Sequence, residues 1–260
     1  MRENIRECVR AVAETLTIPQ PLIEIGSFRV EGQSYVANLR PLFADSDYTG
    51  CDMRPGPGVD RIEDVHQLSF ATDTVGTVLM LETLEHVKNP VQALTEVFRV
   101  LRPGGLVVIS SVMDFPVHEF PADYWRFAPQ GFELLLERFS PRRVYIQGLP
   151  LFPHSLVGVG IKYGPVETVE GHVRQAELDR LDQRVRTISG TLTQEISPRL
   201  GLDPFRLLGE ELSTEEQARY SVPMLHLAYD HLLQKDEEIA RLQQELKRLQ
   251  EAHTRENGET

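Results

Sequence analysis

Two stretches of this 260-residue chain combine residue types and spacings that could do chemistry. The first is Ile23-Glu24-Ile25-Gly26-Ser27-Phe28, followed about two dozen residues later by Thr49-Gly50-Cys51-Asp52. An apolar strand ending in glycine, a turn into a helix and a second strand ending in a carboxylate bracket a nucleoside: the glycine permits close backbone approach, and the carboxylate receives paired ribose hydroxyls. A dinucleotide fingerprint would place glycine at positions 28 and 31, where this chain has Phe28 and Glu31. A ring and a second negative charge both oppose a pyrophosphate at a helix N-terminus. A phosphate-free adenosyl compound with a positive sulfonium suits this loop better. The competing reading is an ordinary strand-glycine-helix turn, with Asp52 capping the turn ahead of Pro55-Gly56-Pro57-Gly58 and Glu24 holding the loop.

The second stretch is His118-Glu119-Phe120-Pro121-Ala122-Asp123-Tyr124-Trp125-Arg126-Phe127. A histidine near its ordinary pKa of about 6.5 is suited to general-base work, and a carboxylate five residues on can orient it or replace it. His118 is the candidate base and Asp123 its orienter or alternative. Trp125 is a candidate for stacking on an acceptor ring, and Arg126 for gripping a carboxylate or phosphate. Each has a plainer reading: exposed loop histidine, core tryptophan, structural ion pair. A metal site from Asp114, His118 and Asp123 matches no ligand signature, so no metal is expected.

The elements that must position these residues follow from periodicity. Ile5, Cys8, Val9, Val12, Ala13 and Leu16 recur at helical spacing, so residues 1–20 read as a helix packed on the core and ended by Pro19 and Pro21. Strand-like runs at 22–26, 47–52, 75–81, 105–112, 142–147 and 156–163 alternate with helix-like segments near 33–43, 90–101 and 129–139. Such alternation predicts an α/β fold: a doubly wound, mainly parallel sheet with helices on both faces. The last two strands, with Gly148 and two prolines between them, suit an antiparallel hairpin. Residues 164–223 read as a helical extension broken by Gly190, Pro198, Gly201 and Pro204. Within 224–254, Leu225, Leu232, Ile239 and Leu246 repeat every seven residues beside Ala228, Lys235, Leu242 and Leu249. That pattern predicts a coiled coil and a homo-oligomer, the alternative being an amphipathic helix lying on its own domain.

A formal net charge of -12 without a basic patch argues against a nucleic-acid partner. Two cysteines, Cys8 and Cys51, are too few for a disulfide framework, and neither a signal peptide nor an eighteen-residue apolar run appears. A cytoplasmic protein without a membrane span is the expectation.

Residues 21 to about 163 resemble a class I S-adenosylmethionine-dependent methyltransferase. Beyond the glycine loop, the resemblance is carried by Asp60-Arg61-Ile62-Glu63-Asp64-Val65-His66-Gln67-Leu68-Ser69-Phe70, by Leu81-Glu82-Thr83-Leu84-Glu85-His86-Val87, and by Phe98-Arg99-Val100-Leu101-Arg102-Pro103-Gly104-Gly105-Leu106-Val107-Val108-Ile109. The segment from His118 resembles H-x-x-P-x-D-[YF]-W-R-F of a bacterial small-molecule and glycan methyltransferase subgroup. The chain departs from the family's usual E-x-G-x-G-x-G at Phe28 and Val30, and has Gly76 where an acidic residue is common.

The resemblance implies a Rossmann-like seven-stranded sheet and S-adenosyl-L-methionine as cofactor. It places Gly26 and Ser27 at the methionine portion, Asp52 at the ribose, Met53 under adenine, Asp64 and Val65 at the adenine edge, and Leu81 at the strand-four wall. His86 falls at the cleft mouth, as a structural or an active residue. The implied activity is methyl transfer to a small-molecule or glycan acceptor, expected at a hydroxyl oxygen. Positioning then supplies most of the rate, and a base helps where the nucleophile is a hydroxyl. The alternative function is a catalytically weak methyltransferase-like domain serving as a coiled-coil scaffold.

Overall fold

A computed structural model describes residues 2–30, 34–118, 122–149, 152–162 and 173–186. The heptad region and most of the predicted helical extension lie outside these residues. Seven strands form one sheet: β1 (Leu22–Ile25), β2 (Tyr48–Asp52), β3 (Arg61–Ile62), β4 (Val75–Leu81), β5 (Leu101–Val112), β6 (Arg142–Leu149) and β7 (Phe152–Ile161). Their spatial order is β3-β2-β1-β4-β5-β7-β6. The first five run parallel, and the β6/β7 hairpin pairs antiparallel with β5, as the short connection after Gly148 predicted.

The sheet is covered on both faces, which explains why its central strand carries no polar stripe. All seven residues of β4 are buried. Alternate side chains then go to opposite layers, as the period of two in a strand requires. Ile23, Val78, Met80, Val107 and Ile109 join one core with Leu94 and Val97 of α3 (Pro90–Val100) and Phe132 of α4 (Pro129–Leu135). Leu22, Leu79, Leu81, Leu106 and Val108 join the other, with Ile5, Val9 and Val12 of α1 (Glu3–Thr15). Leu178, Leu181 and Val185, on a helix over residues 173–186, complete this second layer. That helix is tied to the sheet edge, where Arg143 pairs with Asp179 and Asp182, and Tyr145 donates to Asp182 at 2.8 Å.

Helix ends follow local chemistry. The Asn89 side chain accepts from the Gln92 N–H at 3.1 Å and Pro90 fills the first helical position, starting α3 where its apolar spacing begins. The helix expected near 33–43 is divided into α2 (Ser34–Ala37) and a 3-10 turn (Arg40–Phe43). Pro41 has no N–H to continue an α-helix. Strand β5 starts at Leu101 rather than 105, because Val75 pairs with Leu101 and Thr77 with Leu106. The Pro103-Gly104-Gly105 turn is absorbed as an irregularity, with Gly104 at φ +76°. Among the described residues no helix is long and apolar enough to cross a membrane, and Cys8 and Cys51 are free and buried.

Candidate active site

The carboxyl ends of β1, β2 and β4 open onto a cavity of about 930 Å³, within the range that holds a drug-sized ligand and at the edge where open α/β sheets bind theirs. Its floor is the turn after β1. Gly26 and Ser27 both donate to the Cys51 carbonyl, at 2.9 and 3.0 Å, so the loop is pinned to β2. Gly26 has φ +82°, and a Cβ there would lie 2.2 Å from Thr83 Oγ1. Left-handed backbone and close approach of the strand-four turn both require glycine.

Asp52, at the end of β2, is buried at the cavity wall. Its Oδ1 accepts from the Arg54 N–H at 3.0 Å, and the Phe28 N–H lies 3.4 Å from Oδ2. Phe28 occupies space beside Gly56, where a Cβ would meet its ring at 2.2 Å, and Arg54 stacks on the same ring. The bulky side chain at a position normally kept bare is therefore accommodated by the Pro55–Gly58 loop. Gly76, the second departure from the family pattern, has a packing cause: a Cβ there would stand 2.5 Å from the Pro19 backbone.

Farther round the wall, Asp64 accepts from the His66 N–H at 2.9 Å and from its ring at 2.7 Å. These hydrogen bonds hold its carboxyl below the usual range, against a smaller opposing effect of burial. Met53, Val65 and Leu81 supply apolar wall, and Glu24 also lines the cavity. Burial pushes the Glu24 carboxyl up to about 7, against the hydrogen bond it accepts from Tyr48.

A second part of the cavity wall is built by long-range contacts. The 3-10 turn Leu84–His86 follows β4, and residues 122–125 fold back onto it. The Glu85 carbonyl accepts from Tyr124 N–H at 2.7 Å, the Val87 carbonyl from Trp125 Nε1 at 2.8 Å, and the Ala122 carbonyl from His86 Nδ1 at 2.7 Å. His86 and His118 meet edge to face, ring centroids 4.8 Å apart, and both line the cavity with Phe115 and Tyr124. Glu85 is 1% exposed and takes the Ser111 hydroxyl on Oε2 at 2.7 Å. Burial raises its carboxyl above the ordinary range.

Several residues expected to act here have other duties. Both oxygens of Asp123 are clamped by Arg126 at 2.6 Å, and Oδ2 also accepts from the His118 N–H at 2.9 Å. The Arg126 hydrogen bonds, opposed by burial, drive the Asp123 carboxyl far below the usual range, which makes it a poor base. It orients instead: His118 Nδ1 lies 3.2 Å from Asp123 Oδ2. Arg126 is committed to Asp123 and to the carbonyls of Phe115, Pro116 and Trp125 rather than open to a substrate anion. Trp125 is half-exposed and tethered through its indole N–H, and it is not among the cavity-lining residues. Phe115 and Arg2 line the cavity without a motif that singled them out, and so does Tyr124, which the motif contains but for which the sequence indicated no role.

The donor set fits S-adenosylmethionine. One cavity brings together a buried carboxylate, Asp52, a second carboxylate, Asp64, apolar side chains, and a glycine cradle with no room for a Cβ. Residues 35–109 match the family described as "Methyltransferase domain". A demethylmenaquinone methyltransferase of Clavibacter sepedonicus is 27% identical over 132 residues, 49% of this chain and 51% of that protein. A ubiquinone biosynthesis O-methyltransferase of Parvibaculum lavamentivorans is 26% identical over 96 residues, 36% of each chain. The chain thus spans about half or less of the curated relatives it matches. A crystal structure from Thermotoga maritima, described as an S-adenosylmethionine-dependent methyltransferase and possible histamine N-methyltransferase, aligns with a TM-score of 0.46 at 19% identity, covering 61% of this chain and 89% of its own. Motif order, cavity chemistry and the family match over residues 35–109 agree in pointing to methyltransferase-type chemistry with S-adenosylmethionine as the cofactor.

Proposed function

We propose that the protein transfers a methyl group from S-adenosylmethionine to a hydroxyl oxygen of a small-molecule or glycan acceptor. The observation that carries this reading is the pair of imidazoles, His86 and His118, on the wall of the same cavity as Gly26, Asp52 and Asp64. In this arrangement Gly26 and Ser27 seat the methionine portion, Asp52 holds the ribose hydroxyls, Asp64 and Val65 meet the adenine edge, and Met53 and Leu81 close the apolar sides. The bound cofactor supplies an activated methyl carbon, so this chain must align the acceptor and manage one proton. The acceptor oxygen faces the histidine edge, where its proton departs. Asp123, fixed by Arg126, sets the His118 ring rather than taking the proton. The name of the O-methyltransferase relative supports oxygen as the target.

The test is S-adenosylhomocysteine formation with matched hydroxyl and amine acceptors, for wild type and His118→Ala. The expected result is turnover on a hydroxyl acceptor that falls by about 10² to 10⁴ in the variant, with cofactor affinity nearly unchanged. Equal turnover in both proteins, or activity confined to amines, overturns the oxygen assignment.

A further inference from the structure

We propose that Glu85, His86 and His118 form a binding site for a divalent transition-metal ion at the acceptor end of the cavity, a role that builds on the methyl-transfer reading above. One ligand atom from each residue lies within 4.8 Å of the other two. Two imidazoles and a carboxylate are a donor set for zinc and its neighbours, and three protein ligands leave a position for an exogenous oxygen. Tetrahedral bonds of about 2 Å put ligand atoms roughly 3.3 Å apart, so the three must close by somewhat more than 1 Å. His118 can make that movement, since its side chain is part-exposed on an irregular segment after β5, whereas Glu85 and His86 are fixed on the turn after β4.

The surroundings of the three residues favour the same conclusion. The Nδ1–H of His86 is donated to the Ala122 carbonyl, which leaves Nε2 with the lone pair. The Nδ1 of His118 faces Asp123 Oδ2 and the Pro116 carbonyl, each at 3.2 Å, leaving its Nε2 in the same condition. A ring whose far nitrogen donates to a carbonyl or carboxylate is oriented as metal-bound histidines are. Arg126, by clamping Asp123, fixes the group that fixes His118. Glu85 is almost fully buried and its Oε2 is held by a neutral hydroxyl, while among the described residues no Lys or Arg pairs with it. A carboxylate in that position is completed by a cation.

The ion gives the histidine edge its chemical function. An acceptor hydroxyl that donates an oxygen lone pair to the ion is acidified, as water is on zinc, and its proton passes to the solvent buffer. The oxygen then forms the new C–O bond as the methyl–sulfur bond breaks. The electron pair of that bond stays on sulfur, and a methyl ether and S-adenosylhomocysteine are left. His118 contributes by ligation.

The test uses the full chain, stripped with chelator and titrated with Zn²⁺ by calorimetry and with Co²⁺ by visible absorption. One ion per chain and Co²⁺ d–d bands are expected. Glu85→Gln and His118→Ala are each expected to weaken Zn²⁺ binding by about 10- to 100-fold or more, with the Co²⁺ bands lost. His118→Ala is the safer variant, because its ring is part-exposed, and retained S-adenosylhomocysteine affinity shows that it folds. A wild-type chain that takes up no ion, or uptake unchanged in the His118 variant, overturns the site. Failure of wild type to bind S-adenosylhomocysteine would instead overturn the methyl-transfer reading, and the Zn²⁺ titration would still decide the metal.

Discussion

Asp52 and Glu24 show how one wall can hold two carboxylates with different duties. Asp52 ends its strand with Oδ1 on the Arg54 N–H and its side chain at the cavity, where the proposed function has it receive the ribose hydroxyls. Asp52→Ala is expected to weaken S-adenosylhomocysteine binding about ten- to a hundredfold, on the order of 1.5 to 3 kcal/mol, as read by calorimetry. Glu24 sits in mid-strand β1, and burial of its carboxyl raises it from 4.5 to about 7. The folded state therefore holds a proton that the unfolded chain releases first. Its contribution to stability is full below about 4.5 and is lost as pH rises through about 7. Denaturant unfolding of wild type and Glu24→Gln between these limits is expected to show a falling stability in the former and a flatter profile in the latter. At this scale the sequence was informative for residues joined by short spacing. Gly26 and Asp52 could be read because strand, turn and strand follow one another. The partnership of His86 with His118 could not, since it depends on residues 122–125 returning to the Leu84–His86 turn, a contact with no periodic signature. The same absence concealed the engagement of Arg126 with Asp123, because an i,i+3 pair on an irregular segment looks the same in sequence as two independent side chains.

Elements were legible where one period dominated. The apolar runs of β4 and β5 and the spacing of α1 leave few alternatives once both faces of the sheet are covered. The two-residue β3 carries too little pattern to be found, and it exists because Cys51 and Asp52 pair with Arg61 and Ile62. Residues 115–118 and 122–127 make up an element of another kind, held largely by hydrogen bonds, with Phe127 alone in the hydrophobic core. Its anchor is Asp123, whose side chain is 2% exposed. Arg126→Ala removes the only arginine pairing with that carboxylate among the described residues, and is expected to destabilise the protein by about 1 to 3 kcal/mol in urea unfolding. Cofactor affinity should stay close to wild type, because Arg126 bonds to Asp123 and to the carbonyls of Phe115, Pro116 and Trp125 and not to Gly26, Asp52 or Asp64. A loss of affinity equal to that of Asp52→Ala would mean that the two parts of the wall do not act separately.

For the whole molecule, the sheet with its two covering layers accounts for the described residues, and the heptad from Leu225 to Leu249 lies outside them. Its apolar seam predicts self-association. Removing the chain after Pro223 is expected to lower the mass measured by light scattering while S-adenosylhomocysteine still binds, and identical masses would favour a helix that lies on its own domain. The helix over 173–186 must be kept in any such truncation, because Leu178 and Leu181 are fully buried beside α1. The opposite end of the chain has a different significance. Arg2 lines the cavity and pairs with Glu82 at 2.6 Å, while α1 behind it is buried in the core. Any polypeptide joined ahead of Arg2 must therefore leave the protein beside the cavity that the proposed function gives to cofactor and acceptor. An affinity tag there would hinder large acceptors more than small ones, and the same tag at the other terminus serves as the control for the kinetic comparison.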